Sequence, residues 1–296
     1  MSQQVQIDYK YIACQCNTIC NMAKQRLKEL DDMLVQIENT ATRLLNNQTE
    51  SLKTAIAKEK AALIKQIKVV NDKANEDANM GVVKTYNHDD RYVHRDDTIN
   101  AARNLEEMVN VLSSQKLIEF QSLLDNLLKE SSNDAYRKLL ERTNGNVVID
   151  VQTQKLLNSI QDEVLRQFTY LAYIKNNMLS GETLIKAGKA LMEESLNSTY
   201  ESRLAFEEER IRKELEAARV DKDIISKVVS KKEGTAKERL SQMQTQATTE
   251  VTGETVRQQS LKVIMKAVAD RGFIVDKKNI KIVPINKFGY LCPTNR

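Results

Sequence analysis

The sequence contains few of the residues that interrupt helices or fill compact cores. Its 296 residues include two prolines, eight glycines and no tryptophan, and aromatic residues make up 5% of the chain. Globular proteins average about 7% glycine and about 5% proline, so this chain is expected to have few turns and long elements. Both prolines, Pro284 and Pro293, lie in the last thirteen residues. The scarcity of aromatics argues against a sandwich or barrel and favours a helical bundle or coiled coil.

Signals for export and for membrane insertion are also missing. The first residues do not combine a basic segment with a following apolar run, as a secretory signal would. No apolar stretch approaches the ~20 residues that a membrane-spanning helix needs. The four cysteines fit a reducing compartment, where thiols stay free. We therefore predict a cytoplasmic protein without a transmembrane segment.

The familiar catalytic and cofactor-binding motifs are not found either. The segment that ends in Gly188-Lys189 has the wrong loop length for a phosphate-binding loop, and Ala190 stands where Ser or Thr should hold Mg²⁺. Dinucleotide-binding, nucleophile-elbow and zinc-protease motifs are absent, and the chain has only two histidines. We predict that the protein is not an enzyme and that it binds no cofactor or metal.

What the sequence does contain is a long stretch of heptad spacing. Residues 8–80 include neither glycine nor proline, and their apolar residues recur at steps of three and four. A helix of ~70 residues would be ~105 Å long, so it must pack along another long helix, in the same chain or in a second copy. We assign the apolar stripe to the interface of a homodimer or higher oligomer. The stripe consists of Leu27, Leu30, Leu34, Ile37, Leu44, Leu52, Ile56, Leu63, Ile67 and Val70.

The remaining sequence predicts shorter elements. We expect a long coiled-coil helix over 1–80, a polar interhelix turn over 81–97, a helical bundle region over 98–234, and a basic helix with a short β-hairpin over 235–296. The second helix should run from about 98 to 130, with Asp96 or Asp97 as its N-cap. The segment VVIDV reads either as a short strand or as the start of a helix. The predicted fold class is mainly α: an elongated long-helix bundle with a small C-terminal α/β element.

The stretch NHDDRYVHRDD at 87–97 holds both histidines and four aspartates. Imidazole and carboxylate groups are ligands for Zn, Mn or Fe. However, His88 and His94 are six residues apart and would not share a helix face, and Arg91 and Arg95 would repel a cation. We interpret the stretch as a polar turn, and we expect that replacing both histidines leaves the melting temperature unchanged.

The segment CQCNTIC brings Cys14, Cys16 and Cys20 close together. A four-cysteine zinc site normally uses two paired clips, and the second clip is missing here. Cys16 and Cys20 are four residues apart and lie on the apolar face of the first helix. We interpret them as small buried apolar residues.

Charge is unevenly distributed along the chain. Residues 221–296 carry 15 Lys and Arg against 8 Asp and Glu, whereas residues 1–220 carry 30 against 33. A basic field attracts nucleic-acid phosphates, anionic lipid or an acidic protein face, although Lys on a solvated helix gives the same pattern. The candidate residues for an anionic partner are Lys231, Lys232, Lys277, Lys278 and Lys281.

Three functions are compatible with these features. The first is a scaffold or adaptor subunit that oligomerises through its coiled coil and docks a protein partner in a larger assembly. The second is a nucleic-acid-associated protein whose basic C-terminal region neutralises phosphates. The third is a helical dimer on a membrane surface, against which the mixed charge of residues 1–220 argues. We expect the first.

Overall fold

The fold is mainly α, which confirms the predicted class. The computed structural model describes residues 4–86, 89–230 and 233–271. The chain divides into two compact units, Met1–Val256 and Arg257–Arg296. The described part of the second unit consists of the last residues of a helix and the residue that follows it. The β-hairpin predicted near the C-terminus lies outside the described residues.

Helices follow one another along the chain, and one pair of short strands flanks the first two helices. The elements are β1 Gln4–Asp8, α1 Tyr9–Thr40, α2 Asn46–Met80, β2 Val82–Tyr86, α3 Asp90–Val111, α4 Leu117–Ser131, α5 Asp134–Thr143, α6 Val151–Ser159, α7 Glu163–Lys175, α8 Gly181–Ala217, α9 Lys222–Val229 and α10 Ala236–Asp270. A π-type turn, Leu112–Lys116, joins α3 to α4 without ending the helix. The segment VVIDV, which the sequence left open, leads into α6.

The expected N-terminal helix is broken into two helices that pack against each other as a hairpin. α1 ends at Thr40 and α2 begins at Asn46, although no glycine or proline separates them. Leu45 is fully buried in a cluster with Tyr136. The backbone N–H of Asn46 donates to the Gly145 carbonyl at 2.7 Å. The prediction of a single long helix is wrong, because contacts with residues far along the chain interrupt it.

The polar turn predicted after this helix is also replaced by regular structure. Gly81 ends α2 with φ of +70°, a conformation that L-residues with a side chain rarely adopt. Residues Val82–Tyr86 form β2, which pairs antiparallel with β1 in the register Gln4↔Tyr86 to Asp8↔Val82. The sheet closes the open end of the helical hairpin, since β1 precedes α1 and β2 follows α2.

Aspartate side chains begin many of the helices. Asp8 accepts a hydrogen bond from the N–H of Tyr11 at the start of α1. α3 begins at Asp90 with Asp89 as its N-cap, so the predicted caps Asp96 and Asp97 are wrong and lie inside the helix. Asp150, Asp162 and Asp221 cap α6, α7 and α9 in the same way. A short carboxylate satisfies backbone N–H groups that have no partner inside the helix.

The heptad stripe lies in the core of the chain itself. Eight of its ten side chains are buried, and Leu27 and Leu34 pack partly buried against the same core. Residues of α3, α4 and α7, such as Leu105, Phe120 and Phe168, complete this core. The hairpin therefore uses the stripe within one chain, and this fold leaves the stripe no free face for a second copy. Association between copies stays a prediction, and it requires another surface.

A second cluster of buried residues holds the later helices together. Tyr200, Leu204, Ile211 and Leu215 of α8 pack with residues of α9 and α10. Ile118 of α4 belongs to the same cluster. One side of α8 therefore packs against α9 and α10, and another side faces α1.

Candidate functional site

A groove of about 970 Å³ runs between α1 and α8. The lining residues of α1 fall at steps of three and four, so they share one helix face. The same spacing holds on α8. The lining comprises mainly Asn21, Gln25, Lys28, Asp32 and Gln36 of α1, and Arg203, Phe206, Arg210, Lys213 and Ala217 of α8. Val251 and Thr255 of α10 and Gln121 of α4 also line it, together with Met22, Glu29 and Met33 of α1 and Glu214 of α8.

Charged side chains join α1 to α8 beneath the groove. Glu207 is 2% exposed. Its carboxylate pairs with Arg203 at 2.9 Å and with Arg210 at 2.7 Å. Arg26 of α1 is also buried, and it pairs with Glu29. Arg203 lies 3.9 Å from Glu29 and thereby bridges the two helices.

The electrostatics of Glu207 follow from these pairings. Burial alone raises the pKa of a carboxyl group, because it disfavours the charged form. Here Arg210, Arg203 and Arg26 more than offset the burial, and the pKa of Glu207 lies below its ordinary value of 4.5. The carboxylate therefore stays ionised and holds the arginines in place.

The π-type turn supplies further partners to this network. A π-type turn displaces backbone carbonyls from the regular helical pattern, and such turns often occur at functional sites. The Ser113 carbonyl accepts from Gln244 Nε2 at 3.3 Å, and the Ser114 carbonyl accepts from the Tyr200 hydroxyl at 2.9 Å. Burial, with a contribution from Glu119, raises the pKa of Tyr200 to about 12, so its hydroxyl stays protonated and donates. Gln244 Nε2 also lies 3.4 Å from Glu207 Oε2.

The rim of the groove combines one exposed aromatic ring with polar side chains. Phe206 is 66% exposed, whereas Leu204 and Ile211 on the same helix are buried. Lys28 and Asp32 are exposed and one helical turn apart on α1, and neither forms an ion pair with any residue that the structure describes. The groove thus offers an apolar contact, amide groups and, in Lys28 and Asp32, one charge of each sign outside the described ion pairs, which suits contact with another protein surface.

The described part of the histidine stretch, residues 89–97, begins helix α3 and does not form a turn. His94 lies in α3, and its Nε2 is 2.7 Å from Oδ1 of Asp77, which is fully buried near the end of α2. Burial raises the pKa of the Asp77 carboxyl, and the hydrogen bond from His94 opposes that shift. The ring of Tyr9 lies 5.9 Å from the His94 ring. The interpretation as a polar turn is wrong for His94, because this residue lies inside α3. His88 lies outside the described residues.

The cysteine cluster takes its expected place in the core. Cys16 and Cys20 are buried in α1, and Cys14 is of intermediate exposure. Burial, with a smaller contribution from Asp77, raises the pKa of Cys16 to about 12. Over residues 4–86, 89–230 and 233–271, no three His, Cys, Asp or Glu side chains come together as a set of metal ligands.

The five lysines predicted to bind an anionic partner all lie outside the described residues. The sequence did not predict the groove, because its lining residues come from helices that are far apart along the chain. One signal was available there. Phe206 is a single aromatic residue in an otherwise charged segment, LAFEEERIRKELEAAR.

None of the described helices has a segment that is both long enough and apolar enough to cross a membrane. Comparison with protein-family models, with curated proteins and with solved structures finds no match to this chain.

Proposed function

We propose that this protein is a non-enzymatic helical adaptor that acts through protein–protein contact, with the groove between α1 and α8 as its binding surface. The observation that carries the proposal is the exposure of Phe206. It stands at 66% exposure in the groove, while Tyr200, Leu204, Ile211 and Leu215 of the same helix are buried. Aromatic residues are enriched among the side chains that dominate the binding energy of protein interfaces.

The network beneath the groove supports the same function. Arg203, Glu207 and Arg210 are linked by ion pairs, and Gln244 adds a contact from α10. Buried ion pairs and hydrogen bonds of this kind favour one arrangement of the helices that carry them. A surface that is already ordered loses less conformational entropy when it binds.

Site-specific photo-crosslinking in the native host tests the proposal. A photoreactive phenylalanine analogue replaces Phe206 in the full chain, and a matched control carries it in place of Val148, which is 90% exposed and lies outside the groove. We expect a discrete protein adduct from position 206 and none from position 148. If position 206 captures no protein, or both positions capture the same mixture, the groove is not a binding surface and the proposal fails.

A further inference from the structure

Six of the exposed polar side chains of α1 have nearly the same order of chemical types in both directions along the helix, with cation and anion exchanged. They occur in the order amide, amide, cation, anion, amide, amide. They are Asn21, Gln25, Lys28, Asp32, Gln36 and Asn39. All six are exposed, and the first five line the groove.

Such a pattern is complementary to a second copy of itself. In a twofold symmetric dimer every contact occurs twice: if one residue of the first copy contacts a different residue of the second, the same two residues are also in contact with the copies exchanged. Consider two antiparallel α1 helices that are related by a twofold axis at the level of Leu30. Lys28 of one copy and Asp32 of the other then lie at the same position along the helices. At ~1.5 Å per residue, each is ~3 Å along the helix from the axis. Gln25 then lies opposite Gln36, and Asn21 opposite Asn39, so amide groups face amide groups that can both donate and accept.

The same arrangement covers the exposed ring of Phe206. Arg203 lies 3.9 Å from Glu29, which places this part of α8 beside the turn of α1 that carries Lys28 and Asp32. Phe206 is one helical turn from Arg203. With the two grooves facing each other, the Phe206 rings of both copies lie in the space enclosed between them, and both lose contact with water.

We propose that the groove face binds a second copy of this chain, as a twofold symmetric dimer in which Lys28 of each copy pairs with Asp32 of the other. This inference rests on the proposed function, because it names the protein that occupies the groove.

The size of the face is sufficient for a specific but weak dimer. From Asn21 to Asn39 the helix is about 27 Å long, and two adjacent helices are about 20 Å wide. This corresponds to about 540 Å² of flat area on each copy and about 1,100 Å² in total, which is at the lower end of specific interfaces. The dimer should therefore be in equilibrium with monomer, and its mass should rise with concentration.

Charge reversal at the two positions tests the pairing. Sedimentation velocity or light scattering on the full chain, over a concentration series, should show the mass rise from 33.8 kDa toward twice that value. In Lys28→Asp, two aspartates face each other across the axis, and in Asp32→Lys two lysines do. Each single variant should raise the dissociation constant by about tenfold or more, because like charges at an interface are strongly disfavoured. The control Lys58→Asp reverses an exposed charge of α2 outside the groove and should dimerise like the unmodified chain.

Mixing the two single variants gives the sharpest outcome. A heterodimer of Lys28→Asp with Asp32→Lys pairs aspartate with lysine at both sites, so the mixture should dimerise where neither variant does alone. The double variant should dimerise for the same reason. A change within one helix would not be rescued by mixing, so rescue identifies a contact between copies. An unmodified chain that stays monomeric at about 100 μM, where a dissociation constant of about 10 μM would give mostly dimer, overturns the inference. Failure of the mixture to associate overturns it as well.

The photo-crosslinking experiment distinguishes refutation of the dimer from refutation of the proposed adaptor function. An adduct of twice the chain mass at position 206 agrees with the dimer. An adduct with a different protein refutes the dimer and keeps the adaptor function. The lack of any protein adduct refutes both.

Discussion

Two buried carboxylates in this protein are stabilised in opposite ways. Glu207 pairs with two arginines, and a third contributes to the positive potential, so its pKa lies below the ordinary value. Among the residues that the structure describes, Asp77 has no arginine or lysine partner and is hydrogen-bonded to His94, and burial raises the pKa of its carboxyl group. The number of cations around each group decides whether desolvation or attraction dominates.

Removing the charge of Glu207 should lower stability in a pH-dependent way. Its pKa is lower in the folded chain than in the unfolded chain, so its contribution is present in full above the ordinary value of 4.5 and is lost as the pH falls below it. We expect Glu207→Gln to lower the free energy of unfolding by about 3 kcal/mol at neutral pH, since it leaves Arg203 and Arg210 without their shared partner.

Urea unfolding of both chains over an acid series measures the difference. The difference should shrink as the pH falls below about 4.5, because the unmodified chain then loses the same contribution. The control Glu209→Gln removes a carboxylate that is 57% exposed, and it should change stability by less than about 0.5 kcal/mol. A constant difference across the series would contradict the assigned pKa shift.

For single residues, the sequence predicted whether a side chain is buried better than it predicted which side chain it contacts. The burial of Cys16 and Cys20 followed from their spacing on the apolar face. The pairing of His94 did not follow, because its partner Asp77 belongs to a different helix and looks like any other charged residue in the sequence. Glu207 was missed for the same reason, since it lies in a run of three glutamates and only its neighbours in space distinguish it.

At the scale of elements, the packing of α7 on α8 depends on one glycine. A Cβ atom added at Gly188 would lie 2.4 Å from Thr169 Oγ1 and 2.6 Å from Thr169 Cα. Both distances are shorter than real Cβ contacts, and the second involves backbone that cannot turn away. The two helices therefore approach as closely as a residue without a side chain allows.

Gly188→Ala should thus destabilise the protein despite the higher helix propensity of alanine. We expect a loss of about 1–3 kcal/mol from overpacking. The matched control is Gly253→Ala in α10, where nothing lies within 4 Å of the added Cβ. That change should be neutral or should stabilise by up to about 1 kcal/mol, because alanine favours helix. Thermal unfolding of both variants decides the matter, and equal effects would contradict the close approach of α7 and α8.

The limits of α1 and α2 illustrate what local sequence can and cannot predict. The apolar spacing correctly identified which residues of both helices are buried. It did not identify the break after Thr40, because the segment that follows contains no residue that forbids helix. The burial of Leu45 and the hydrogen bond from Asn46 to Gly145 connect positions about a hundred residues apart. Tertiary contacts override helix propensity at this point.

At the scale of the whole molecule, the two faces of α1 should respond differently to charge. Leu30 is fully buried, while Lys28 on the same turn is exposed. Leu30→Asp places an unpaired charge in the main core, and we expect a loss of more than about 4 kcal/mol, enough to abolish cooperative unfolding. Lys28→Asp should keep the helical circular dichroism and the unfolding transition of the unmodified chain.

Far-UV circular dichroism with temperature compares the two variants. If Leu30→Asp remained folded and only dissociated, the heptad stripe would lie between copies as first expected, and the hairpin of α1 and α2 would be wrong. The fold class was predictable from the lack of proline and glycine and from the apolar spacing. The path of the chain was not predictable, because an apolar stripe of this spacing can pack against a second copy or against a later helix of the same chain.

The pairing of β1 with β2 also sets an order of events during synthesis. β2 begins 78 residues after β1 begins, so the first strand leaves the ribosome long before its partner exists. At translation rates of about 5–20 residues per second, the segment of β1 is without its strand partner for about 4–16 seconds. The first strand therefore cannot form a sheet during the time in which α1 and α2 are made. The sheet that closes the hairpin is the last part of it to form.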